Sequence, residues 1–262
     1  MAQASLLEIS DVGKRFGGLD ALRGVSLRVA AGSIYGLIGP NGAGKTTLFN
    51  TITGFSPVTT GTIRFEGNDI TRASPHVIAR RGVARTYQLV RPFHELSAME
   101  NVAVGIFFGR GGARAHAKTH DRTGEALEYL ERVGLAHKAD YPVLELNLGE
   151  RKRLEIAKAL AANPRLVLFD EVLAGLNPTE IAEAIELFRS IRASGTTILM
   201  IEHNMQAIMR ICDHIFVLHH GELIAEGTPQ QVSADAKVIE AYLGRRDLKL
   251  ERRRKARAHA PG

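Results

Sequence analysis

The chain has 262 residues, near the upper size for one hydrophobic core, so one domain carrying at most a lobe is expected. Its composition is 45% hydrophobic, yet no apolar run reaches the ~18 residues of a membrane-spanning helix, and Cys212 alone leaves no intrachain disulfide framework, which suits a reducing cytoplasm. The net charge of +6 sits in "RRDLKLERRRKAR" (245–257), so the remainder is neutral and offers no basic face to nucleic acid; no nucleic-acid partner is expected.

The start, "MAQASLLEIS", lacks a basic opening followed by an apolar stretch, so no signal peptide is expected. "VSLRV" (25–29) and "GTIRFEG" (61–67) alternate apolar and polar residues, as half-buried strands do. "SIYGLIG" (33–39), "RLVLFD" (165–170) and "TTILMIEH" (196–203) are continuous apolar runs, which predict a buried parallel sheet in an α/β fold. Residues 89–163 are helix-rich, with "AMENVAVGIFF" (98–108) and "RTGEALEYLERVGL" (122–135) flanking a glycine-rich loop at 109–120 that is expected to be mobile. They form a helical lobe inserted between the two parts of a core, 1–88 and 164–244. "PTEIAEAIELFRSIRASG" (178–195) opens on proline, closes on glycine and places Ile181, Ala184, Ile185 and Phe188 on one face, which predicts an amphipathic helix. "HIFVLHHGELIAEG" (214–227) predicts a hairpin turning near Gly221, with His219 and His220 incidental to it. The tail at 245–262 is either a solvated, partly helical segment or a contact for anionic lipid.

Three stretches carry chemistry. "GPNGAGKT" (39–46) follows an apolar strand and precedes a helix-forming run, the context that a phosphate-binding loop requires. Gly42 and Gly44 let successive amides turn inward, Lys45 reaches the β- and γ-phosphates, and Thr46 holds magnesium. In "RLVLFDE" (165–171), Asp170 ends a strand where its carboxylate reaches magnesium through water, and Glu171 follows where it can polarise the attacking water. In "ELNLGERKRLEIAKAL" (145–160), Gly149 permits close approach to a phosphate at a helix N-terminus, and Arg151, Lys152 and Arg153 strengthen the positive field. Leu154, Ala157 and Ala161 supply that helix's packed face, and Asn163-Pro164 stops it.

"GPNGAGKTT", "RTYQ", "LNLGERKRLEIAKAL", "LVLFDE" and "IEHN" come in an order that resembles the ABC-type ATPases over about residues 5–244. The resemblance implies a P-loop NTPase fold, with a RecA-like core, an antiparallel β subdomain and the inserted α-helical subdomain. It implies ATP and Mg2+ as cofactors, with Gly39, Asn41, Gly42, Ala43, Gly44, Lys45, Thr46 and Thr47 forming the cradle. Phe16 corresponds to the ring that stacks on adenine, although a core phenylalanine is the alternative. Gln88 matches the glutamine that senses magnesium and the attacking water, and His203 the histidine that contacts the γ-phosphate. In this family two ATPases face each other head to tail, so Asn147 and Gly149 act on the nucleotide held by the other. Asn147, Glu150 and Val172 depart from the usual Ser, Gln and Pro. Glu150 then needs compensation by Arg151 or Lys152, and loss of the proline is expected to loosen the turn that aims Glu171.

"AGLNPTE" (174–180), "RLEIAKAL", "RTYQLVRPFHELSAMENVAVG" and "VIEAYLG" (238–244) resemble more narrowly the ATPase of branched-chain amino-acid importers. That resemblance implies a second ATPase subunit, two membrane-spanning permease subunits, an indirect periplasmic binding protein, and a peripheral position on the cytoplasmic face of the inner membrane. The competing assignments are a lipopolysaccharide-export ATPase, a soluble ABC ATPase, and a regulatory subunit that hydrolyses weakly.

Overall fold

The computed structural model describes residues 5–86, 92–110 and 122–242; Gln88, most of the 109–120 loop and the basic tail lie outside them. Among the described residues, ten strands form two sheets. The first is antiparallel, in the order β2-β1-β4-β5, from β1 (Ser5–Phe16), β2 (Leu19–Ala30), β4 (Thr60–Phe65) and β5 (Asn68–Asp69). The second runs β10-β9-β3-β8-β7-β6, from β3 (Ile34–Ile38), β6 (Val83–Arg85), β7 (Leu166–Asp170), β8 (Thr197–Ile201), β9 (His214–His219) and β10 (Glu222–Gly227). Its strands are parallel apart from β10, which returns antiparallel to β9.

Every residue of β3, β7 and β8 is buried, as the unbroken apolar runs predict for a sheet covered on both faces. Alternate residues divide between two cores. Tyr35, Leu37, Leu166, Leu168, Leu199 and Ile201 pack towards the antiparallel sheet and helix α1 (Lys45–Ile52). Ile34, Ile38, Val167, Phe169, Ile198 and Met200 pack towards the helices on the other face.

Those helices include α3 (Ala98–Phe108), α4 (Arg122–Arg132) and α5 (Leu148–Ala161) of the lobe, followed by α6 (Pro178–Ala193) and α7 (Met205–Ile211). A short α2 (Pro75–Arg81) precedes them and α8 (Pro229–Ala234) follows. Val102, Ile106, Leu130, Leu154 and Ala157 share one apolar cluster with Phe169 and Phe188, so lobe and core are packed continuously. The starts of α3, α5 and α6 are fixed by capping boxes, Ser97 with Glu100, Asn147 with Glu150 and Asn177 with Glu180, each satisfying two amides. Helix α5 ends before Asn163, which takes a left-handed φ of 49°, and Pro164, as the sequence predicts. Among the described residues no helix is long and apolar enough to cross a membrane.

Candidate functional site

The loop after β3 folds into a cradle in which Gly39 and Gly44 occupy space that no side chain can share, while Gly42 supplies a left-handed φ of 78°. A Cβ on Gly39 would stand 2.1 Å from the Leu218 carbonyl oxygen. Gly44 has φ 105°, and a Cβ there would stand 2.7 Å from the carbonyl oxygen of Ala21. The predicted hairpin braces the cradle from outside. His220 and Gly221 turn with φ 48° and 83°, and the Gly221 N–H donates to the Ala43 carbonyl at 3.0 Å. The buried Lys45 ammonium donates to the carbonyls of Gly39 and Pro40 at 2.7 and 3.0 Å. Burial lowers its pKa, and the nearby Glu171 and Asp170 carboxylates oppose that shift.

Strands β7 and β8 deliver the acidic and imidazole groups to the same carboxyl edge of the sheet, where open α/β folds bind ligands. Glu171 adopts a left-handed φ of 54°, and its N–H donates to the Ile201 carbonyl at 2.9 Å. This turns its side chain back, so that Oε1 meets His203 Nε2 at 3.0 Å. A cleft of about 620 Å³ brings together Phe16, Asn41, Gly42, Ala43, Gly44, Lys45, Thr46, Thr47, Glu171 and His203. Phe16 is 50% exposed on its rim, which removes the core-phenylalanine alternative, and the Lys14 ammonium lies 4.7 Å from its ring centroid. His220, read from the sequence as incidental, also lines the cleft.

Asp170 stands behind this wall. Its Oδ2 accepts from Arg85 Nη2 at 2.7 Å, with both side chains at most 5% exposed. Arg85 also donates from Nη1 to Asn50 Oδ1 at 2.7 Å, tying β6 and β7 to α1. Arg85 carries no signal of this role in the sequence, although it opens the "RTYQ" stretch that ends in Gln88.

Asn147 and Gly149 do not line the cleft; they form the first turn of α5. A Cβ on Gly149 would lie 2.8 Å from Glu180 Oε1, so the carboxylate end of Glu180 stands against this glycine. Asn147 Oδ1 accepts the Glu150 N–H, and Glu150 Oε2 accepts the Asn147 N–H, both at 2.9 Å. The compensation expected for Glu150 comes from elsewhere: its Oε1 pairs with Lys138 at 2.6 Å. Burial pushes this carboxyl up, but the Lys138 and Asn147 hydrogen bonds outweigh it and hold it below the usual range. Nor do the three basic residues point to a common anion. Arg151 donates to the Leu146 and Leu144 carbonyls, Lys152 to those of Glu171 and Ala174, and Arg153 faces Glu183 at 3.9 Å. In the turn after Glu171, Val172 is buried, and Lys152 donates to the backbone carbonyls on either side of it.

Glu202, in "IEHN", is a second residue that sequence reasoning missed. It is buried, and its Oε1 accepts the Leu173 N–H at 2.8 Å. Burial pushes its carboxyl up from the usual 4.5 to about 7, against the opposing pull of that hydrogen bond and of Lys152. The folded chain therefore keeps a proton that the unfolded chain has released, and stability falls as pH rises from 4.5 to about 7. The shift corresponds to about 3 kcal/mol. Glu202→Gln is expected to flatten this part of the pH–stability curve, as read from urea midpoints at several pH values; an unchanged slope would mean that Glu202 ionises normally.

The chain matches the family described as "ABC transporter" over residues 22–174, more than half its length. The chain belongs to the ABC transporter family. Residues 222–247 of this ABC ATPase also match the family described as "Branched-chain amino acid ATP-binding cassette transporter". The high-affinity branched-chain amino acid transport ATP-binding protein BraF of Pseudomonas aeruginosa is 41% identical over 256 residues, covering 91% of this chain and 98% of BraF. A crystal structure of an ATP-binding cassette in its ADP conformation aligns with a TM-score of 0.83 and 34% identity, covering 92% of this chain and all of that one. A dimeric cassette in a post-hydrolysis state, bound to ADP and Pi, aligns at 0.75 and 25% identity over 85% of this chain and 98% of that one. The two-sheet core and inserted helices are thus those of a P-loop ATPase, and the ABC ATPase is an ATP-hydrolysing enzyme.

Proposed function

We propose that this ABC ATPase drives the import of branched-chain amino acids or related small solutes, as a peripheral subunit on the cytoplasmic face of the inner membrane. It works beside a second ATPase, of the same or a homologous chain, and two membrane-spanning permease subunits that receive solute from a periplasmic binding protein. One observation carries the reading: the cleft holds Phe16, residues 41–47, Glu171 and His203, while Asn147 and Gly149 lie outside it. In this reading a second chain brings its own signature helix to complete each pocket. The name of BraF supports the solute class, and the dimeric cassette supports the pairing.

In this reading the loop amides, the Lys45 ammonium and the dipole of α1 bind the β- and γ-phosphates. The Phe16 ring stacks on adenine. Glu171 takes the proton of the attacking water, while His203 orients that carboxylate and contacts the γ-phosphate. Asn147 and Gly149 of the partner subunit cap the same phosphate. The Thr46 hydroxyl on the cleft wall and, through water, the Asp170 carboxylate behind it would hold magnesium, which takes hard oxygen donors, and Gln88, outside the described residues, would join them. The ion, when bound, supplies charge neutralisation across the phosphates.

Hydrolysis per chain, measured over a dilution series, tests the shared pocket. The rate is expected to fall steeply as pairs dissociate, and a rate indifferent to dilution would defeat it. Co-purification from solubilised membranes tests the transporter, and export-type membrane subunits in the complex would reassign it.

A further inference from the structure

The four-residue turn from Glu171 to Ala174 is gripped from three directions. The Ile201 carbonyl takes the Glu171 N–H, and Glu202 takes the Leu173 N–H; both belong to the end of β8 or the residue after it. The third grip comes from the lobe. Lys152 stands three residues after Gly149 on α5, and its Nζ donates to the carbonyls of Glu171, at 3.3 Å, and Ala174. Lys152 is only 7% exposed, and burying an ammonium costs several kcal/mol unless it is well partnered. Burial lowers its pKa, and the Glu202 and Glu171 carboxylates counter that. Glu171 itself sits in a left-handed conformation that costs a non-glycine residue about 1–2 kcal/mol and persists only where its surroundings enforce it.

We propose that Lys152 is a positioning residue for Glu171: its ammonium fastens the catalytic turn to α5, so that the helix end carrying Asn147 and Gly149 and the turn aiming Glu171 move as one body. The two half-sites of each chain are then mechanically joined, one acting on its own nucleotide and one on its partner's. This rests on Glu171 acting on water, as read above.

The test is a double-mutant cycle on the full chain, read as single-turnover cleavage of radiolabelled ATP. Lys152→Met keeps the apolar stem and removes the donor. It is expected to slow cleavage about 10- to 100-fold when Glu171 is present, the scale of a misplaced catalytic group. On a Glu171→Gln background the same change is expected to cost less than about 2-fold, since the group it positions is already gone. ATP affinity stays within about 2-fold throughout, and Lys152→Arg recovers most of the rate. Equal losses on both backgrounds, or a loss explained by weaker ATP binding, overturn the proposal. Should Lys152→Met melt early, Lys152→Gln retains a neutral donor and runs through the same cycle. A Glu171→Gln chain that cleaves at the wild-type rate defeats the reading of Glu171 itself, a result distinct from a failed cycle.

Discussion

Replacing Glu171 with Gln is expected to lower steady-state turnover by about 10²–10⁴-fold, equivalent to ~3–5 kcal/mol of barrier, while the chain still binds ATP. The carboxylate lies on the cleft wall within hydrogen-bond distance of His203, at the carboxyl edge shared with the phosphate loop. An amide fills the same volume and still bonds to His203, but it cannot accept a proton from water. The loop amides and Lys45 are untouched, so nucleotide stays trapped and ATP-bound pairs accumulate. Turnover together with the nucleotide retained after gel filtration checks both halves of the expectation. Undiminished turnover would remove Glu171 from the base role.

The second large effect is on stability. Arg85→Met is expected to destabilise the fold by about 3–5 kcal/mol, the usual penalty for breaking one partner out of a buried ion pair. The Asp170 carboxylate would remain at 3% exposure without its 2.7 Å contact, and the Asn50 amide oxygen would lose its donor as well. Met matches the length of the arginine stem, so little of the penalty is lost packing. Chemical denaturation of the two proteins gives the difference directly, and a loss below about 1 kcal/mol would show that water reaches Asp170 and solvates it. Because Arg85 links β6, β7 and α1, Asp170 is also expected to lose its fixed orientation behind the cleft.

What could be read from the chain before folding was whatever is contiguous. The buried strands announced themselves as unbroken apolar runs, and the phosphate loop as nine successive residues whose order alone dictates a cradle. Strand β1 escaped notice because irregular register between Ile9 and Val12 and between Val12 and Lys14 breaks the alternation that marks a half-buried strand. Strand β6 has only three residues, too few for any period to show. Partnerships between distant parts of the chain were equally silent. Arg85 and Asp170 stand 85 positions apart, and the Lys152 contact with Ala174 joins a lobe helix to a core turn. Lys152 amid "ERKR" reads as one of three charges that strengthen the field at the helix start, and only the fold shows that it is enclosed and turned towards the Glu171–Ala174 turn.

The contact between Lys138 and Glu150 bears on how signature segments can be exchanged among relatives. Lys138 belongs to a separate short turn at 136–138, before the helix that Glu150 opens. An acidic residue at this place is harmless here because its counter-charge arrives from upstream. A chimera that borrows 145–160 alone imports the carboxylate and leaves its neutraliser behind; the transferable module is the longer stretch beginning at Ala136.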